Sequence, residues 1–328
     1  MNDNKYVPEG MLRRQTENAM ALSSRSGLEA AMAQGKILEA PAVLCDCQSM
    51  QLQVDLGEIR GIIEKEEAVY SPDGAPVKDI AIITRVGKPV QFVVRSLRRN
   101  EKGETTAVLS RKEAQRKCCR EYISSLECGD IIPAKITHIE PFGAFCDIGC
   151  GMIALLTVDA ISVSRISHPG DRFETGENIM AVVRQIDRET GRIYLSHREL
   201  LGTWEENAEC FRAGQTVTGI VRSVEDYGIF VELAPNLAGL AEPADHVCPG
   251  DACSVYIKSI LPERMKIKLV LIDCCGKAEV RPCRYFIDTD RVSRLSHWVY
   301  SPAGSKKIVE TVFGDVIYNE PEQKVRIP

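Results

Sequence analysis

Two pairs of aromatic residues carry the first chemical signal in this chain of 328 residues. Phe142-Gly143-Ala144-Phe145 and Tyr227-Gly228-Ile229-Phe230 share one pattern: an aromatic, a glycine, one residue and a second aromatic. Rings held on an exposed sheet are platforms on which nucleic-acid bases stack, for about 1–3 kcal/mol per base and without reading sequence. Residues three apart in a regular strand face opposite sides. The stacking reading therefore requires the glycines to bend or bulge the strand so that both rings turn to one face. A second reading stays open, in which Phe145 and Phe230 belong to the core and the glycines serve only the bend.

The pairs sit inside a longer repeat. One copy opens at Gly129 and another at Gly214, with each aromatic at the same offset from its opening glycine, which is the mark of repeated modules. Each copy continues through a second apolar stretch (Gly151 to Leu156; Gly239 to Pro243) and a β-rich pair of segments, Ile179 to Asp187 and Arg192 to Ser196 in the first. Five short strands in about seventy residues suit an oligonucleotide-binding (OB) barrel. A weaker third copy opens at Gly35, with Met50 and Gln53 near the stacking positions. Lacking rings there, it is not expected to stack bases. Its Arg95, Arg98, Arg99, Arg111 and Lys112 would hold phosphates, dock a protein, or form a solvated basic hairpin.

The two clear copies resemble S1 domains, an RNA-binding module found in tandem, and the stretch from Ile161 to Ala241 resembles ribosomal protein S1-like chains of low-GC Gram-positive bacteria. The resemblance implies a nucleic-acid face made of Phe142, Phe145, Asp187 and Arg192 in the middle module and of Tyr227, Phe230 and Lys266 in the last, where Leu261 replaces the acid. A histidine usual on strand three falls, on this alignment, at Ala154 and Glu242, so both copies lack it. His168, in the loop before strand four, is a candidate substitute, and Lys135 a candidate phosphate contact. Binding is expected in the order middle, last, first.

The expected organisation is mainly β: an N-terminal helical extension (1–34), a degenerate S1-like OB barrel (35–113), S1 domains at 127–200 and 212–273, and a small α+β appendage (274–328). The N-terminal helix, broken near Ser23 to Gly27, would be either a partner-binding arm or a frayed extension. Short helices should join the barrels. Arg111 to Leu126 sets Ala114, Cys118, Tyr122 and Leu126 four apart, a stripe for an adjoining barrel. Thr203-Trp204-Glu205-Glu206 is a capping box, and Trp204 is expected to pin two modules together. In the appendage, Arg284 to Asp288 and Lys307 to Phe313 read as strands and Asp290 to Val299 as a helix, leaning on the last barrel.

Composition narrows the function. A net charge of −5 argues against a polybasic binder held mainly by phosphate neutralisation, so modest, stacking-led affinity is expected. The polar opening and the absence of a long apolar run predict neither signal peptide nor membrane span. Thirteen cysteines, an odd number without a Cys-x-x-Cys pair, read as reduced cytoplasmic thiols. His246, Cys248, Cys253, Cys274, Cys275 and Cys283 match no common zinc spacing. No catalytic constellation, cofactor motif or small-molecule site is evident. The expectation is a non-enzymatic binder of single-stranded RNA on or near the small ribosomal subunit. A free-standing regulator and an accessory subunit of a ribonuclease or transcription complex use the same barrels.

Overall fold

Strands with one apolar face close into three five-stranded barrels. The first is built from β1 (Ile37–Cys45), β2 (Leu52–Asp55), β3 (Arg60–Ile63), β4 (Pro89–Arg99) and β5 (Thr105–Ser110). The middle one contains β6 (Ile131–Glu140), β7 (Gly143–Asp147), β8 (Ile153–Thr157), β9 (Asn178–Asp187) and β10 (Arg192–Ser196). The last contains β11 (Thr216–Glu225), β12 (Gly228–Ala234), β13 (Leu237–Ala241), β14 (Asp251–Leu261) and β15 (Lys266–Lys277). In each barrel the first strand pairs with the second and fourth, and the third runs parallel to the fifth. This computed structural model describes residues 6–72, 74–99, 103–278 and 283–314. The polar opening (1–5) and the end of the expected appendage (315–328) lie outside the described residues.

One irregularity recurs in all three barrels. The first strand slips by one residue against the second at Val43, Thr137 and Arg222. Such a bulge reverses which later side chains point outward. In the middle barrel Ile136 faces the core opposite Cys146, whereas His138, two residues on, stands outside opposite Phe145.

The barrels are locked to one another. The N-terminal extension forms α1 (Thr16–Leu22) and α2 (Arg25–Gln34), with Ser24 capping the second through the Gly27 amide, so the break falls where the small polar residues predict it. The first barrel also carries α3 (Asp79–Ile83), and α4 (Arg111–Glu121) follows β5. Helix α4 buries Ala114 and Cys118, with Leu126 buried beyond it and Tyr122 packed beside them, as the four-residue stripe requires. Gln115 accepts from the Tyr70 amide and donates to the Cys150 carbonyl, bridging the first two barrels.

Residues 6–15, before α1, are neither frayed nor free. Glu9 is buried between those barrels, its carboxylate receiving Arg111 Nε at 2.7 Å and Nη2 at 3.0 Å, its amide donating to Asp147 at 2.7 Å. Arg111 is therefore no phosphate contact: it is 3% exposed and committed to Glu9. Burial acts to raise the Glu9 carboxyl, but Arg111 and Arg85 more than offset it, so the group stays below the usual carboxylate range. Burial and then the Glu9 charge push Asp147 up to about 7, against three backbone amides and Arg111.

Between the middle and last barrels, α5 (Trp204–Ala208) opens with the expected capping box: Thr203 accepts from the Glu206 amide and Glu206 from the Thr203 amide. Trp204 is buried in the core of the last barrel, where it ties the linker down rather than meeting solvent. Arg172 from the middle barrel pairs with buried Glu232 on β12, which also takes Arg222 Nε at 2.8 Å.

The appendage differs from expectation. Its described residues hold a two-stranded sheet, β16 (His297–Val299) with β17 (Glu310–Val312), and no helix. The Val292–Leu295–Val299 spacing does not wind, because Arg294 makes a bridge to Asp130 on the middle barrel and His297 onward pairs with β17. The stretch Arg284 to Asp288 forms no strand. The appendage wedges between two barrels rather than leaning on one. Tyr285 accepts from the Met180 amide of β9 and meets His197, while Tyr300 donates to the Asn236 carbonyl of the last barrel. Burial holds His197 down to about 4, so its neutral ring links Tyr285 to the Ile161 carbonyl.

Candidate nucleic-acid interface

The aromatic pairs lie outside the barrels. Ala144 and Cys146 point into the middle core, leaving Phe145 on the outer face of β7. Phe142 is 55% exposed and its ring meets Phe145 edge-on, centroids 6.0 Å apart. Tyr227 is 67% exposed and meets Phe230 in the same way at 6.1 Å. The core reading of Phe145 and Phe230 is thus excluded by position.

The geometry that unites each pair is not the expected glycine bulge. Glu140 pairs directly with Gly143, so Pro141 and Phe142 form a two-residue turn and only Phe145 lies within the strand. The turn projects the first ring and the strand's outer face the second. The glycines answer to crowding instead: a Cβ on Gly143 would lie 2.6 Å from the Leu156 carbonyl oxygen, and one on Gly228 2.6 Å from that of Ala241. Either contact would push the third strand away from the second.

Around these rings the other expected residues divide. Asp187 and Arg192 pair across the β9–β10 hairpin. Hydrogen bonds from the Thr190 hydroxyl and amide hold the Asp187 carboxyl below the usual range, so it is an ionised brace for the turn, with exposed Arg192 beside it. Leu261 pairs with exposed Lys266 in the last barrel. Lys135 is occupied elsewhere, its ammonium donating to the Glu9 carbonyl at 2.8 Å. His168 is exposed but accepts from the Gly170 amide at 3.0 Å, capping a turn whose Asp171 faces Arg222 at 3.7 Å. Among the described residues it makes no ring contact with Phe142 or Phe145. A groove of about 850 Å³ opens beside Asp187, lined by Arg184, Arg188 and Arg198 and by the carboxylates of Glu127, Glu189 and Glu310.

The strand-three comparison also changes. Ala154 is buried in the core, and register makes Thr157, opposite Gly143, the counterpart of Glu242. Sequence reasoning missed His138, whose exposed ring lies nearly parallel to Phe145 at 6.2 Å between centroids. Its only sequence signal was position: without the bulge at Thr137, alternation from Ile136 turns it inward.

Among the described residues the His246 and cysteine candidates do not converge on one point. Cys253 and Cys274 are cross-strand neighbours, whereas Cys283 lies near Arg172, Glu177 and Glu232, its thiol pushed up to about 11 by burial. Among the described residues no three His, Cys, Asp or Glu side chains are grouped to hold a metal. Nor is any helix there long and apolar enough to cross a membrane.

Comparison with known proteins agrees with this geometry. Residues 125–198 match the S1 RNA binding domain. The small ribosomal subunit protein bS1 homolog of Bacillus subtilis (strain 168) is 32% identical over 195 residues, 58% of this chain and 48% of that protein. The small ribosomal subunit protein bS1 of Leuconostoc lactis is 32% identical over 161 residues, 45% of this chain and 37% of its own. That of Staphylococcus aureus (strain COL) is 28% identical over 273 residues, 78% of this chain and 66% of its own. The chain thus spans between about a third and two thirds of the length of these relatives. Its three barrels share one topology, the middle one matches the S1 RNA binding domain, and the chain is similar to bS1 proteins over part of their length.

Proposed function

We propose that this chain binds single-stranded RNA through its middle and last barrels, without catalysing a reaction, in the cytoplasm and in association with the small ribosomal subunit. The observation that carries the reading is the pair of rings held on the outside of each barrel, Phe142 with Phe145 and Tyr227 with Phe230, available to stacked bases. The names of the relatives support the ribosomal part. Co-sedimentation with purified small subunits in low and high salt tests it. RNA binding without co-sedimentation would leave a free-standing RNA binder.

Salt should separate stacking from phosphate tracking. Lys135 is spent on Glu9 and Arg184 faces Asp159 at 3.2 Å, while Arg188 and Arg192 of the middle barrel and Lys266 and Lys268 of the last are exposed. Two to four phosphate contacts on a single strand predict a log K against log salt slope of roughly −1.4 to −2.8. Duplex RNA, whose bases are already stacked, should bind much more weakly. A steep slope with equal duplex affinity contradicts the proposal.

The barrels should not contribute equally. The interlocked cores make isolated modules a poor test, so the comparison belongs in the full chain. Replacing Phe142 and Phe145 by Ala should cost more affinity than replacing Tyr227 and Phe230, and Gln53→Ala in the first barrel should cost nothing measurable. Met50, the other expected stacking position there, is buried in the core. A larger loss from the last barrel than from the middle would reverse the assignment.

A further inference from the structure

We infer that the stacking surface of the middle barrel is a lane of rings crossing the whole sheet, in which His138 and Tyr194 act with Phe145 and Phe142, and that its ligand is a run of unpaired nucleotides laid across the strands. This rests on the RNA-binding reading above and extends it to two residues that the resemblance does not include.

Register carries the argument. His138 pairs with Phe145, Phe145 with Leu155, Leu155 with Tyr194 and Tyr194 with Gln185. Residues paired directly across neighbouring strands project to the same face. The alternate row, Ile139, Ala144, Leu156 and Leu195, faces inward, so the row with the rings faces out. None of its members is buried. At about 4.8 Å per strand, His138 to Tyr194 spans about 14 Å, and sheets presenting ring platforms of this kind hold roughly two or three bases.

The same row can be read in the other barrels. In the last it runs Ser223, Phe230, Leu240, Lys268, Ser259, and in the first Leu44, Gln53, Ile62, Val108, Ser96. Identical register thus places three rings in the middle row, one in the last and none in the first. Among the described residues, only in the middle barrel does a second ring in the row touch the strand-two aromatic, His138 against Phe145 at an interplanar angle of 21°. Glu140, hydrogen-bonded to His138 Nε2 at 2.7 Å, holds that imidazole in place.

The test uses the full chain and an unstructured single-stranded RNA oligomer. His138→Ala and Tyr194→Ala should each weaken binding at least about fivefold, the least that losing one stacked base gives, while His138→Phe and Tyr194→Phe should stay near wild type. Both positions lie on the outer face, and Tyr194→Leu preserves bulk if Tyr194→Ala proves unstable. Wild-type affinity in His138→Ala and Tyr194→Leu, alongside a large loss in Phe142→Ala/Phe145→Ala, overturns the lane and leaves RNA binding standing. Wild-type affinity in all of these variants overturns both.

Discussion

Replacing Phe142 and Phe145 together by Ala is expected to weaken binding of the full chain to a single-stranded RNA oligomer by roughly 2–5 kcal/mol, the loss of two stacked bases. The oligomer should be short enough to occupy one barrel, because a longer one would recover affinity through the last barrel as an intramolecular contact. Both rings stand outside the hydrophobic core, one in a turn and one on the outer face of β7. The variant should therefore keep its fold, and circular dichroism with an unchanged melting profile would establish that. Binding within about twofold of wild type in a folded double variant, less than one stacked base provides, would mean that the rings do not carry the interaction.

The second large effect is structural. Arg111→Ala would leave the Glu9 carboxylate buried beside Asp147 without its main counter-charge. Breaking a buried pair by removing one partner typically costs about 3–5 kcal/mol, whereas replacing both partners by well-packed apolar groups is often near neutral. Arg111→Ala should accordingly destabilise the unit formed by the first two barrels by about that amount. Glu9→Leu combined with Arg111→Met should lose far less. Denaturant unfolding read by a probe in the first barrel distinguishes the cases, and equal stability of Arg111→Ala and wild type would show that Glu9 is not held as described. The pH dependence has a definite sign. Asp147 has a folded pKa near 7, above the value of an unfolded aspartate. Its contribution is present at acid pH and is lost as pH rises toward and through 7.

Local patterns spoke for themselves wherever the physics is local. Alternating apolar residues between glycine-led turns marked the strands of all three barrels. The four-residue stripe of α4 and the Thr203 capping box marked the linkers, because 3.6-residue periodicity and amide capping act within one or two turns. The repeated aromatic-Gly-x-aromatic spacing marked the ring pairs on the outside of the barrels, since both rings of a pair come from one turn and one strand. What escaped the sequence was set by partners far along the chain. Arg111 looked like a solvated cation of a basic hairpin until Glu9, a hundred residues earlier, was found folded against it. Val292, Leu295 and Val299 kept helical spacing, yet the chain there is extended because β17 and Asp130 supply its hydrogen-bond partners. His138 turned outward only because the strand slips by one residue at Thr137, and a one-residue slip reverses every side chain beyond it. Sequence alone determined how many barrels there are and which two carry paired outer rings, because those depend on short-range pattern. Tertiary structure decided which cations remain free, which ring joins the row and how the barrels lock together, because register and buried charge pairing depend on residues that meet only when the chain has closed.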